Sequence, residues 1–372
     1  MPKATETVLE IDFSALSHNF NYLKSKLDSK TKFLAVVKAF AYGSDSIAVA
    51  KHLEQLQVDY FAVAYTNEGI ALRDAGVKTP ILVLHPQPVN FKTIINRCLE
   101  PSLYNSKVLN EFVRVAESEM QNNYPVHIKF NTGLNRLGFW DSNIDYVISK
   151  INSTKSVRVK SLFSHLAASE DIKEVDFTKR QIKAFDSIAL EFNSKLDYRP
   201  WRHLCNTSGV INYPEAHFDM VRCGIGLFGF GNSEEEDNQL KPIAALKSVI
   251  SQIHCIEEGE SVGYNRAYKA RGFEKTATIP IGHADGIGRS YGNGNGYVFI
   301  NNKKAPIIGN VCMDMIMVNI TDIDCSEGDE VIIFDGTTKA SQLAETASTI
   351  SYELITAISQ RVKRKYLNVS EC

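Results

Sequence analysis

The sequence predicts an α/β fold: a (β/α)8 TIM-type barrel followed by a C-terminal mostly-β domain. Three observations predict it. Short apolar runs alternate with helix-spaced stretches through the first 225 residues, there are eight such units, and the pattern changes to closely spaced strands after about residue 240. Strands alternating with helical patterns imply a parallel sheet with crossover helices. Eight units in so short a span fit a closed barrel better than an open sheet.

The expected barrel strands are KFLAVV (32–37), DYFAVAY (59–65), PILVLH (80–85), TIINRCLEPSLY (93–104), PVHIKF (125–130), VKSLFSHL (159–166), WRHLC (201–205) and DMVRC (219–223). Helical spacing occupies 45–56, 67–76, 105–120 and 176–196 between them. The second half carries LKSVISQIHCI, KTATIPI, GYVFI, IMVNI and EVIIF, separated by turn signals such as NGNGNG and SEGDE, which read as a compact β domain. SQLAETASTISYELITAISQRVKRK reads as helical in period with a break at TISYE. The division is therefore 1–240 for the barrel and 241–372 for the β domain, with residues 1–12 available to pair with the latter.

Composition narrows the function classes. Hydrophobic residues are 44% and charged residues 23%, which excludes a disordered chain, a collagen-like rod or a coiled coil. A net charge of −2 offers no basic field for nucleic acid or an anionic membrane. No apolar run reaches the roughly eighteen residues a spanning helix needs, and the N-terminus lacks a signal-like apolar core, so a cytoplasmic location is expected. Seven scattered cysteines (98, 205, 223, 255, 312, 325 and 372) without a CxxC pair argue against a disulfide framework or a zinc site, and read as buried reduced thiols. No metal is expected.

Two motifs point to chemistry. VVKAFAYG sets Lys38 at the carboxyl end of the first barrel strand, the face where barrel active sites gather. Burial there lowers an amine's pKa and suits it to attack an aldehyde. RCGIGLFG matches GxGxxG at Gly224, Gly226 and Gly229, but it follows the last strand and lacks the acidic residue of a dinucleotide site. It reads as a backbone nest at a helix start for a single phosphate.

VVKAFAYG resembles the lysine motif of the pyridoxal-phosphate-dependent alanine racemases. IKFNTGLNRLGF, SHLAAS, HLCNTSG, VRCGIGLFG, VGYNRAY, IGHADGIGR and GNVCMDM follow that family in order, over nearly the whole chain. The resemblance implies a barrel joined to a β domain, pyridoxal 5'-phosphate as cofactor, and a homodimer whose active sites are built from both subunits. It implies an isomerase that interconverts L- and D-alanine by two-base transfer of the Cα proton on a cofactor aldimine, supplying D-alanine for peptidoglycan.

The same resemblance assigns roles. Lys38 holds the cofactor and serves as one acid/base group, and Tyr264 from the partner chain is the other. His165 relays between that tyrosine and an arginine, and Arg222 is the partner of the pyridine nitrogen. A guanidinium there brings no negative charge to the ring, which favours quick proton return at Cα. Phosphate contacts fall on Tyr42, Thr207, Gly224, Ile225 and Tyr352, with Thr207 standing where the family usually has serine. Substrate contacts fall on Arg136, Met313 and Asp314. Lys129 matches a position that is often carbamylated to orient the arginine at 136, and Asn131 replaces the acidic residue that usually follows it.

At the substrate gate His283 replaces the family's tyrosine and Asn310 a common arginine, whereas Arg289 is retained. Three other readings compete. A non-catalytic pyridoxal-phosphate carrier would lack Tyr264. An exported broad-specificity racemase would carry a signal segment. A barrel decarboxylase of basic amino acids would need an acidic residue where Arg222 stands.

Overall fold

The structure, a computed structural model, describes residues 4–231 and 233–369. Cys372 and the first three residues of the expected barrel segment lie outside the described residues. The chain forms two compact units, one of residues 17–41 and 46–240, the other of residues 4–16, 42–45 and 241–369. Strand β1 (Val8–Asp12) belongs to the second unit. Strands β2 (Lys32–Val36), β3 (Tyr60–Val63), β4 (Ile81–Val83), β5 (Glu100–Leu103), β6 (Tyr124–Lys129), β7 (Val157–Phe163), β8 (Trp201–His203) and β9 (Met220–Cys223) make up the sheet of the first.

All eight pair in parallel and close, β9 returning to β2 with Lys32 opposite Met220. The strands are rich in Phe, Val, Leu and Ile because parallel strands of a barrel are buried on both faces. Helices such as Ser46–Gln55, Ser106–Ser118 and Val175–Ser194 follow the strands. Asn105 starts the second of these by accepting the Val108 amide at 2.9 Å.

The run 93–104 is not one strand. It divides into a helix, Phe91–Asn96, a left-handed Cys98 (φ 50°) and the short strand β5. A single-sequence reading could not place that break, because TIIN has the composition of a strand and gains its helix from packing.

In the second unit, β10 (Ala244–Val249), β11 (Gln252–Ile256), β12 (Ser261–Val262), β13 (Tyr268–Lys269), β14 (Glu274–Ile279), β15 (Tyr297–Ile300), β16 (Lys303–Ile308), β17 (Ile316–Asn319), β18 (Glu330–Phe334) and β19 (Lys363–Leu367) complete the count of described strands. Nine form one sheet in the order β11-β14-β17-β16-β15-β18-β10-β1-β19, and β12 pairs with β13. Strand β1 lies antiparallel to β10 and parallel to β19.

The C-terminal run corrects the helical expectation. It forms two short helices, Ala340–Thr346 and Ser351–Ala357, and then KRKYL leaves the helix to pair with β1, Val8 opposite Lys363. Pairing with a distant strand overrides a local helical period. The thiol expectation also needs correcting: Cys205 and Cys223 are buried, Cys312 and Cys325 half-buried, and Cys98 and Cys255 exposed. No helix among the described residues is long and apolar enough to cross a membrane.

Candidate active site

Lys38 stands two residues beyond β2, half-buried. The chain after it turns left-handed at four successive non-glycine residues, Ala39 to Tyr42, with φ between 50° and 55°. Each such residue costs roughly 1–2 kcal/mol, so the turn needs outside support. Glu68 supplies it at the start: one carboxylate oxygen accepts the Ala39 amide at 2.6 Å, and the other accepts the Ala64 and Tyr65 amides at 2.7 and 2.9 Å. Burial first, and the Arg136 charge second, hold the Lys38 amine below the ordinary lysine value, while Glu68 pulls the other way.

Arg222, on β9, is buried among acceptors. Its Nη1 donates to Nδ1 of His203 (2.8 Å) and to the His203 carbonyl. Its Nη2 donates to the carbonyls of Ser164 (2.6 Å) and Leu204 and to Nδ1 of His165 at 3.2 Å. The Nε–H is the one guanidinium nitrogen with no partner among the described residues. Burial pulls the guanidinium down to about 10, so it stays charged at neutral pH.

His165 follows β7. Burial, then the charges of Arg222, Arg136, Lys129 and Lys38, hold its ring well below the ordinary histidine range, so the ring is neutral. Arginine can only donate, hence Nδ1 of His165 accepts and the ring proton sits on Nε2.

Lys129 ends β6, buried, with its amine 5.6 Å from the Phe163 ring centre. No carboxylate pairs with it among the described residues. Burial first, then Arg222, Arg136 and Lys38, bring it down to about 8. Arg136, itself exposed, lies in the half-buried loop that follows β6. Asn131 shapes that loop, its Oδ1 accepting the amides of Gly133 and Asn135. Lys38, Lys129, Arg136 and Arg222 thus gather around neutral His165 at the carboxyl ends of the barrel strands, a cationic cluster suited to an anionic ligand.

Beside them Thr207 Oγ1 accepts the amides of Gly224 (3.4 Å) and Gly226 (3.3 Å). A hydroxyl ringed by two alternate glycine amides makes a candidate cradle for an anion. Gly226 permits the approach, since a Cβ there would come within 2.5 Å of Thr207 Cγ2. The expected turn into a helix is here a single 3-10 turn, Ile225–Phe228, ended by left-handed Gly229 (φ 91°). Glycine at the third position of the motif stops the helix instead of extending it.

The second unit holds the remaining residues. Tyr264, Met313 and Asp314 line one open pocket of about 460 Å³ together with Cys312 and Met315. Tyr264 is 71% exposed and Met313 59%. Asn310 donates to the Tyr264 carbonyl at 3.1 Å, and the His283 amide donates to the Cys312 carbonyl, so both departures from the family pattern lie against this pocket's rim. Asp314 is held by Arg361 at 2.6 Å, which also binds Asp285. Arg289 is exposed. The Tyr42 and Tyr352 rings lie 6.1 Å apart, and Gly43 between Tyr42 and the rest of the chain leaves no room for a Cβ, which would fall 1.9 Å from the Ile355 carbonyl oxygen.

Comparison with known proteins decides the family. The model of the alanine racemase N-terminal domain matches residues 11–231, and that of the alanine racemase C-terminal domain matches residues 243–366. The chain belongs to the alanine racemase family. It is 36% identical to the alanine racemase of Halothermothrix orenii over 370 residues, covering 97% of each chain, and 33% identical to that of Methanococcus maripaludis, covering 96% and 98%. Among solved structures it resembles the alanine racemase of Clostridium difficile (TM-score 0.91, 33% identity, 98% and 97% of the chains). It also resembles that of Bacillus anthracis with bound L-Ala-P (TM-score 0.91, 27% identity, 100% and 97%). With the family comes the class: the enzyme is a racemase, an isomerase.

Sequence reasoning missed three residues that hold these candidate side chains. Glu68 clamps the turn after Lys38, Arg361 holds Asp314, and His203 holds Arg222. Only Glu68 left a local signal, a carboxylate in the first turn of a helix after a strand, and that signal reads as ordinary helix capping.

Proposed function

We propose that this racemase interconverts L- and D-alanine by two-base transfer of the Cα proton, with pyridoxal 5'-phosphate as its cofactor. The observation that carries the reading is the pairing of a depressed amine, Lys38, with the Thr207–Gly224–Gly226 cradle on one barrel. An amine for the aldehyde, a cradle for the phosphate and a free Nε–H on Arg222 for the ring nitrogen match the three polar ends of that cofactor. Ile225, Tyr42 and Tyr352 are further candidates for the phosphate. When bound, the cofactor supplies an electron-withdrawing aldehyde and ring that acidify the Cα–H bond.

The protein's part is to move and hold protons. Lys38 serves as the acid/base on one face of Cα. Tyr264 of a second copy serves on the other, because inversion needs a proton taken from one side and returned from the opposite one. An ordinary phenol titrates near 10. The Nε2–H of neutral His165 is the donor that would stabilise its phenolate, and the Arg222–His165 hydrogen bond keeps that proton on Nε2. Arg136 binds the substrate carboxylate, with Met313 and Asp314 of the second copy as further contacts. The exposure of Tyr264 and Met313 in a single chain supports a homodimer with shared sites, since so much apolar surface is ordinarily covered.

Lys129 is read as carbamylated. An amine near 8 is partly unprotonated at neutral pH and able to take up carbon dioxide, and the resulting anion would neutralise Arg136 and Arg222 beside it. We place the enzyme in the cytoplasm, with its D-alanine going to peptidoglycan. The deciding experiment incubates the purified protein and pyridoxal phosphate with a panel of L-amino acids in deuterium oxide. L-alanine is expected to incorporate deuterium at Cα as D-alanine appears; a preference for any other amino acid overturns the substrate assignment.

A further inference from the structure

Six strands of the barrel contribute to one buried chain of hydrogen bonds that ends on Arg222. Arg222 Nη1 meets Nδ1 of His203 at 2.8 Å, and Nε2 of His203 meets Ser161 Oγ at 2.8 Å. Ser161 Oγ meets Nδ1 of His127 at 2.6 Å, and Nε2 of His127 meets Glu100 Oε2 at 2.7 Å. Tyr60 donates its hydroxyl to the same carboxylate oxygen at 3.0 Å. Tyr60, Glu100, His127, Ser161, His203 and Arg222 are all buried, three of them without any exposed surface.

Elementary donor counting gives this chain one direction. Arginine donates only, so Nδ1 of His203 accepts and its proton sits on Nε2. Ser161 receives that proton's hydrogen bond and passes its own to Nδ1 of His127. His127 then carries its proton on Nε2 and donates to the Glu100 carboxylate, which only accepts. A cationic His127 would leave the Ser161 hydrogen without an acceptor, and a reversed chain would set an N–H of His203 against an N–H of Arg222. The face-to-face stack of His203 on Phe163, 4.8 Å apart at 8°, fixes the ring plane while the chain fixes the proton.

We propose that Glu100 is a positioning residue for the racemase site: through His127, Ser161 and His203 it fixes the ring tautomer that holds the Arg222 guanidinium, and so the aim of the free Nε–H. The consequence for catalysis rests on the reading of Arg222 as the partner of the cofactor ring. Without Glu100 the acceptor at the far end disappears, the two rings can exchange tautomers, and Nδ1–H of His203 pushes Arg222 aside. A chain of this kind is worth more than its separate links because each bond polarises the next.

The test labels histidine and arginine with nitrogen-15 and follows ring nitrogens and the Arg222 Nε–H by long-range proton–nitrogen correlation, with and without pyridoxal phosphate. In the wild type His127 and His203 are expected neutral with the proton on Nε2. E100L and S161A are expected to mix the His203 tautomers, shift the Arg222 Nε–H signal and lower kcat about tenfold with KM within about twofold, the worth of one misplaced charge-assisted hydrogen bond. E100Q, which keeps an accepting oxygen, is expected to retain the wild-type tautomers. S161A, which changes only one hydroxyl, keeps the test decisive if E100L does not fold. A wild-type His203 protonated on Nδ1 or on both nitrogens overturns the proposal, as do E100L and S161A spectra with unchanged His203 and Arg222 signals. Failure of the wild type to bind pyridoxal phosphate would instead sink the cofactor assignment, and the measurement on the cofactor-free protein would still decide the tautomers.

Discussion

The Glu68 carboxylate accepts the amide of Ala39 at 2.6 Å, the first residue of the left-handed turn that follows Lys38. The same carboxylate takes two amides just after β3, so a single side chain ties the backbone that follows Lys38 to the neighbouring strand. E68A orphans three amides at once and is expected to cost about 1–3 kcal/mol, read from urea unfolding. E68Q removes the charge that opposes the fall of the Lys38 pKa. The pH midpoint for capture of pyridoxal phosphate is therefore expected to move down in E68Q; a midpoint that stays put would remove Glu68 from the electrostatics of Lys38.

Lys129 gives a prediction whose sign follows from proton linkage. Its amine titrates at about 8 in the fold against an ordinary lysine near 10.5. Between these values the unfolded chain binds more protons, so stability rises with pH, by about 3 kcal/mol in total if the amine is unmodified. Below pH 8 the burial penalty is present in full. In buffer freed of carbon dioxide, the wild type is expected to gain stability over K129M as pH climbs from 8 to 10.5. Bicarbonate should raise the wild type near neutrality and flatten that climb, because the carbamate is an anion among arginines. A difference between wild type and K129M that ignores bicarbonate would leave Lys129 a plain buried amine.

The barrel was readable because parallel strands are apolar throughout and their helices amphipathic, so VVKAF and DMVRC announced both the fold and the ends where chemistry gathers. What stayed hidden depended on distant pairing. KRKYL has a helix former's composition, and only β1 makes it a strand. His127, Ser161 and Glu100 sit singly in apolar runs, where one polar residue reads as tolerated and not as a link. Their meaning appears only when the closed barrel turns them toward one another. Asn131 and Asn310 looked like losses from a family pattern, yet each holds backbone near a site residue.

Gly226 is expected to tolerate no side chain. G226A would press a methyl within 2.5 Å of Thr207 Cγ2, and the threonine can only yield by turning its hydroxyl off the Gly224 and Gly226 amides. Overpacking of this kind costs about 1–3 kcal/mol, and affinity for pyridoxal phosphate should fall at least tenfold. T207S, lacking the offending methyl, should rescue G226A, which binding titrations on the double variant would show. Equal losses for pyridoxal and pyridoxal phosphate would contradict a phosphate role for the cradle.

Tyr264 separates stability from activity. Its ring is 71% exposed and its hydroxyl has no hydrogen bond among the described residues, so Y264F is expected to change stability by less than about 0.5 kcal/mol. Racemisation should nevertheless collapse, because one face of Cα loses its acid/base group. Lys38 can still remove and return a proton on its own face. In deuterium oxide Y264F should therefore exchange the Cα proton of one enantiomer without inversion and leave the other untouched, whereas K38A should lose both. If the sites are shared between copies, mixing inactive K38A with Y264F restores racemisation, since one site of each mixed pair then holds both groups intact. Mixed samples that stay inactive, or Y264F that exchanges both enantiomers equally, would take Tyr264 out of the mechanism.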